Sequence, residues 1–218
     1  MTENVQDEHY LQEFGIINCN KTVMTKVNAR VLKSPNVYYE NHKVPRIDNG
    51  KWRMANNMKF YAKIKLQFWM VVWIVKMPDE KDLEYYKGKL FEGIKHSFPL
   101  VGLDPRQPKF LYLPDKSMPE VFNTIRQASG TLKPQIVMFV FNETHERDEI
   151  KKIAENDKTY GLMTQCIKFD KFSAQIDPNA NVASEDRKLN MYLSNLSLKI
   201  NAKLGGTNSL VDYSVLQE

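Results

Sequence analysis

Gln135-Ile136-Val137-Met138-Phe139-Val140-Phe141, running straight into Asn142-Glu143-Thr144-His145, is the stretch on which the fold turns. A short run of β-branched and aromatic residues bounded by turn chemistry predicts a buried strand. The charged segment after it, from about Glu146 to Asn156, predicts a helix. The same rhythm extends in both directions. Downstream lie a strand over Gly161 to Phe169, a polar loop over Asp170 to Ala183, and a last helix from about Ser184 to Leu204 that ends at Gly205-Gly206. Upstream, Phe110 to Leu113 predicts a strand, and Met118 to Ala128 a helix that Gly130 closes in a left-handed conformation. Further upstream, Ile64 to Val75 predicts a strand. Pro78 and the acidic residues that follow it start a helix over Glu80 to about Ser97. Strand, helix, strand, helix, strand requires crossovers, so the expected class is α/β, Rossmann-like, with a mostly parallel sheet covered by helices on both faces.

Residues 1 to about 58 lack this periodicity. Short apolar pieces there are separated by Ser34-Pro35, Val44-Pro45 and Asp48-Asn49-Gly50, which predicts an extended linker. Over 218 residues, with 42% apolar, 26% charged and 9 Gly, the composition suits one globular domain with an appendage, and no repeat or low-complexity tract is evident. Phe68 to Val75 is far shorter than the roughly 20 residues that cross a bilayer. The polar start Met1-Thr2-Glu3-Asn4 carries no secretory signal, and two cysteines, Cys19 and Cys166, are too few for a disulfide framework. The expectation is an intracellular protein, cytoplasmic, nuclear or both, without a membrane partner. A net charge of +5 permits contact with a polyanion without requiring it.

Ligands of open parallel sheets bind beyond the carboxyl ends of the strands, which draws attention to the turn after Phe141. The helix that starts there offers backbone N–H groups to a phosphate, although Asn142 or Thr144 capping that helix is an equal alternative. In the last helix, Asn195, Lys199 and Lys203 recur every four residues and share a face, beside an apolar stripe of Leu193, Leu196 and Ile200. A solvated lysine face is the competing reading. Should Lys151, Gln165, Lys199 and Lys203 converge, three ammonium groups and one amide would suit several phosphate oxygens at once. Gly-x-Gly-x-x-Gly, Gly-x-x-x-x-Gly-Lys-Ser/Thr, Gly-x-Ser-x-Gly and His-Glu-x-x-His are all absent, and the four histidines show no metal-ligand spacing. No enzyme is expected.

Two segments carry a family likeness. Tyr160-Gly161-Leu162-Met163-Thr164-Gln165-Cys166-Ile167 and Leu193 through Asn208, ending Lys199-Ile200-Asn201-Ala202-Lys203-Leu204-Gly205-Gly206-Thr207-Asn208, resemble the MID domain of eukaryotic Argonaute proteins. Glu13-Phe14-Gly15-Ile16, Ala29 to Pro35 and Gly50-Lys51-Trp52-Arg53-Met54 are similar to the linker that precedes that domain. Lys59-Phe60-Tyr61 through Val72 is similar to its opening strand. The resemblance divides the chain into a linker (1–58), a MID domain (59–208) and a tail (209–218) at the start of the PIWI domain, where any slicing carboxylates would lie. It implies a guide small-RNA module of gene silencing. Lys151, Gln165, Lys199 and Lys203 would hold the guide 5′-phosphate, and Asn142, Glu143, Thr144, His145 and Arg147 would meet the first base. Family members carry tyrosine where this chain has Arg147, so stacking would fall to the Arg147 plane or the His145 ring. The extra cation suits a 5′-triphosphate, as in nematode secondary small-RNA Argonautes, and Glu143 suits a guanine edge. No cofactor is implied beyond a divalent cation beside the 5′-phosphate. The partners implied are the guide RNA, other Argonaute domains and silencing proteins. The alternative is a structural or protein-interaction fragment whose pocket the PIWI domain would complete.

Overall fold

The computed structural model divides into two compact units, Met1–Lys33 and Ser34–Glu218. It describes Glu13 and residues 28–29, 35–48, 50–54, 58–156, 160–183 and 185–212. Most of the linker-like motifs, including Phe14-Gly15-Ile16 and Arg30 to Ser34, and the last six residues lie outside the described residues. The sheet and its helices belong to the second unit.

In chain order its elements are β1 (Asn36–Tyr38), β2 (Ile47–Asp48), β3 (Lys51–Trp52), β4 (Lys65–Leu66), β5 (Met70–Trp73), α1 (Glu80–Leu100), β6 (Asp104–Pro105) and β7 (Lys109–Tyr112). There follow α2 (Met118–Ser129), β8 (Val137–Phe141), α3 (Thr144–Ala154), β9 (Thr164–Lys168), α4 (Phe169–Ser173), α5 (Arg187–Lys203) and β10 (Leu210–Asp212). The central sheet has four strands in the order β7-β5-β8-β9, and every pairing in it is parallel. This is the Rossmann-like α/β class expected from the alternation of elements.

The two inner strands are buried along their whole length, because each of their faces meets helices. Val71, Trp73, Met138 and Val140 pack with Leu90, Ile94 and Phe98 of α1 and Leu189, Leu193, Leu196 and Ile200 of α5. The alternate residues Met70, Val72, Val137, Phe139 and Phe141 pack with Val121, Phe122 and Ile125 of α2 and Ile150 and Ala154 of α3. The period of two along each strand sorts the side chains between the layers. The Trp73 indole N–H is buried without a hydrogen-bond partner, but the Phe169 and Phe172 rings stand edge-on to the indole with centroids at 5.7 and 6.4 Å.

Several boundaries differ from the sequence expectations. The strand expected over Ile64 to Val75 is two strands, β4 and β5, broken at Gln67-Phe68. There the Gln135 Oε1 accepts from the Gln67 and Phe68 amides at 2.7 and 3.1 Å, and its Nε2 donates to the Lys65 carbonyl at 2.8 Å. A side-chain amide thus replaces ladder hydrogen bonds across the break. Gln135→Ala is expected to cost about 1 kcal/mol, since water reaches these groups once the amide is gone, and a urea midpoint measures it.

Helix α1 runs on to Leu100 with Pro99 in its last turn, and the Phe98 and Pro99 carbonyls accept from Val101, Leu103 and Gly102, whose φ is 92°. Helix α3 starts two residues early, at Thr144. The expected loop from Asp170 opens instead as the short helix α4, which has no capping side chain to announce it. Helix α5 begins at Arg187 rather than Ser184, because the buried Asp186 carboxylate accepts from the Leu189 amide at 3.0 Å and sets its first turn. Within the linker-like segment, β2 pairs with β3, and β1 pairs antiparallel with β10.

Candidate nucleic-acid interface

Strand β9 is an edge of the central sheet, with α3 on one face and α5 on the other. On the inward side, the carbonyl of Met163, the residue just before β9, accepts from the Val137 amide at 2.9 Å. By alternation, the Thr164 and Cys166 carbonyls face out of the sheet. Lys203 Nζ, from the end of α5, donates to Thr164 O at 2.8 Å and to Gln165 Oε1 at 2.8 Å. From α3, Lys151 Nζ donates to the same Thr164 O at 3.3 Å and to Thr164 Oγ1 at 2.6 Å. Gln165 Nε2 donates to Cys166 O at 3.0 Å. Two ammonium groups from opposite layers therefore meet on one carbonyl oxygen, beside an amide that is 6% exposed.

The electrostatics follow from this crowding. Burial is the first cause that lowers the Lys203 pKa below the usual lysine value, and the charges of Lys151 and Lys199 add to it. Lys199 is exposed one turn before Lys203 on the same helix face, as the spacing anticipated, and it acts on the cluster through its field. Cys166 lies beneath. Burial raises its pKa, while the charges of Lys151, Lys203 and, last, Arg147 pull the other way; the exposed Arg147 guanidinium lies 3.9 Å from the Asp148 carboxylate. Three of the four expected side chains thus converge, and the fourth stands beside them. The cluster lies along the sheet edge, and only the Asn142 turn lies at a strand's carboxyl end.

That turn is built differently from either sequence reading. Neither Asn142 nor Thr144 caps α3. The Glu146 carboxylate does so by accepting from the Asn142 and Glu143 amides at 3.0 and 2.7 Å. The backbone donors that a phosphate would use here are partly taken, and by a carboxylate. Glu143, Thr144, His145 and Arg147 are exposed, and the Asn142 Oδ1 is buried without a hydrogen-bond partner. Glu146→Ala is expected to lower the unfolding free energy by about 1 kcal/mol, the worth of a lost cap, read from the denaturant midpoint.

Three residues that the sequence reading missed organise the site. Thr164, the shared acceptor, carries no motif signal except its place before Gln165. Glu146 sits three residues after the cap position, which is the capping-box spacing. Asn201 lies on the buried side of α5, fully covered. Its Oδ1 accepts from the Ile64 amide at 3.1 Å, and its Nδ2 donates to Ala62 O and Asn208 Oδ1 at 3.1 and 3.0 Å. This amide fixes the end of α5, and hence Lys203, against the chain entering β4.

No family model matches the chain. Protein argonaute PNH1 of rice, Oryza sativa subsp. japonica, is 27% identical over 216 residues, covering 94% of this chain and 20% of the rice protein. The chain therefore spans about a fifth of the length of this curated relative. Among solved structures, Drosophila Piwi superimposes with a TM-score of 0.64 at 16% identity, over 84% of this chain and 23% of that one. Kluyveromyces polysporus Argonaute with a guide RNA gives a TM-score of 0.60 at 15% identity, over 84% and 21%. The chain is similar to Argonaute in sequence along nearly its whole length, and both structures share its fold.

Proposed function

We propose that this chain is a guide-binding module of the Argonaute MID type that holds the 5′-terminal phosphate of a small RNA and takes part in RNA-mediated silencing. The observation that carries the reading is the meeting of Lys151 and Lys203 on Thr164 O beside Gln165. Each ammonium has three donors and makes two hydrogen bonds on the protein, which leaves one on each for an oxyanion; on Lys151 the exposed Glu155 carboxylate, 4.0 Å away, is the competitor that such an anion would displace. Burial is the main cause that lowers the Lys203 pKa, and a phosphate in front of the two ammonium groups would offset both that and the smaller repulsion from Lys151. Gln165 would act as a neutral donor or as the group that orients Lys203, and Lys199 as the outer cation. Asn142, Glu143, Thr144 and His145 would face the first base. The likeness to a rice Argonaute and the shared fold of an Argonaute solved with guide RNA support this assignment. Its partners would be the guide and the other domains of the parent protein, and the reading gives the chain no reaction of its own.

Arg147 favours an extension of this reading. It is an exposed cation one turn before Lys151 on α3, a charge that a monophosphate does not need and that suits a 5′-triphosphate. Competition between mono- and triphosphorylated RNAs of one sequence tests it. Triphosphate should win, by a margin that Arg147→Ala removes, and preference for monophosphate overturns the extension.

A structural reading is favoured by the same hydrogen bonds, because lysines over the outward carbonyls of an edge strand also block edge-to-edge association. Titration with 5′-phosphorylated and 5′-hydroxyl RNA separates the two. Equal affinity for both ends would leave only the edge-blocking role.

A further inference from the structure

The opposite edge of the sheet carries different chemistry. Lys109 and Leu113 donate inward to Trp69 O and Trp73 O, so the main-chain N–H and C=O groups of Phe110 and Tyr112 point out of the sheet. Nothing among the described residues pairs with them. Just before the start of β7 lies a groove of about 310 Å³ between α1 and the segment 105–108, lined by Trp69, Phe91, Ile94, Pro105 and Pro108 among others. Trp69 Nε1 donates to Arg106 O at 2.6 Å, which holds this segment open against the indole. At the rim, Lys95 and Arg106 are exposed and make no ion pair among the described residues, whereas Glu92 is the one carboxylate lining the groove.

We propose that this edge binds an extended, acidic peptide of a partner protein, which adds a strand to β7 and places one aromatic side chain in the groove. Outward amides with the period of a strand call for another backbone, because they offer alternate donors and acceptors that only an extended chain satisfies. The apolar floor takes a side chain beside that strand. The two free cations at the rim choose an acidic flank over a basic one and would make the association sensitive to salt. The sheet edge at β9 does not compete for such a strand, since its outward carbonyls are covered by Lys151, Lys203 and Gln165.

The test uses the full chain and a fluorescein-labelled probe peptide, EDVTVWVTVEDE, read by anisotropy and by amide chemical shifts. Saturable binding is expected, with the Phe110 and Tyr112 amides shifted and slowed in exchange. At least tenfold weakening is expected for a control with proline at alternate strand positions, and for the protein carrying Lys95→Glu and Arg106→Glu. A 5′-phosphorylated RNA should leave the bound peptide in place, so failure here does not touch the guide-end assignment, nor its failure this one. Absence of saturable binding at millimolar probe, equal affinity for the proline control, or shifts confined to the β9 edge would each overturn the proposal.

Discussion

Gly206→Ala is expected to lower the unfolding free energy by about 3 kcal/mol, at the upper end of overpacking costs. A Cβ at this position would lie 2.3 Å from Asn201 Oδ1 and 2.5 Å from the Asn201 Cγ and Nδ2, inside any real contact distance. The neighbour cannot swing away freely. The Asn201 amide is fully buried and tied to Ile64, Ala62 and Asn208, while the Gly206 amide itself donates to Asn201 O at 2.8 Å. Relief therefore means breaking buried hydrogen bonds, each of which costs about 1–3 kcal/mol when a group is left unpaired. The φ of Gly206 is not in the left-handed region, so the cost is one of space. Gly205, at φ 88° with nothing near its Cβ position, supplies the contrast, because Gly205→Ala should cost only about 1 kcal/mol of backbone strain. A double-mutant cycle decides the mechanism. Asn201→Ala removes both the obstacle and its hydrogen bonds, so the two substitutions must combine to less than their separate losses. Additive losses in urea unfolding would show that the methyl strikes something else.

How much of this was legible follows from where each residue sits. β8 could be read directly, because burial on both faces removes the need for any polar residue from Val137 to Phe141. The break between β4 and β5 could not, since Gln135, some seventy residues away, supplies the hydrogen bonds that permit it. Helix periodicity gave the Lys199 and Lys203 face, a local property. Lys151 meets Lys203 because α3 and α5 flank the same edge strand, and no spacing records that. Asn201 and Gly206 lie within the segment that resembles Argonaute, yet their mutual packing is visible only in three dimensions.

Lys203→Ala and Lys151→Ala should each weaken binding of a 5′-phosphorylated RNA by about tenfold to a hundredfold, the scale of one hydrogen bond to a charged group. Binding of the 5′-hydroxyl RNA should hardly change, because an ammonium that serves only the terminal phosphate has nothing to hold there. Each substitution also strips one donor from Thr164 O, so unfolding is measured alongside, and affinity counts only where the chain remains folded. The pH profile adds a signature that edge blocking would lack. In the free protein the Lys203 pKa is lowered, chiefly by burial, so the ammonium titrates before an ordinary lysine does. Up to that point the fold carries the cost of a desolvated charge, and stability rises as the proton leaves, until the unfolded chain also deprotonates near 10.5. A bound phosphate favours the charged form and raises the pKa again, so binding takes up a proton in this alkaline window, and affinity falls as pH climbs through it. Lys203→Arg keeps its charge across the whole range and should flatten that fall while keeping part of the affinity. An identical alkaline decline in the arginine variant would assign the titration to another group and remove Lys203 from the phosphate.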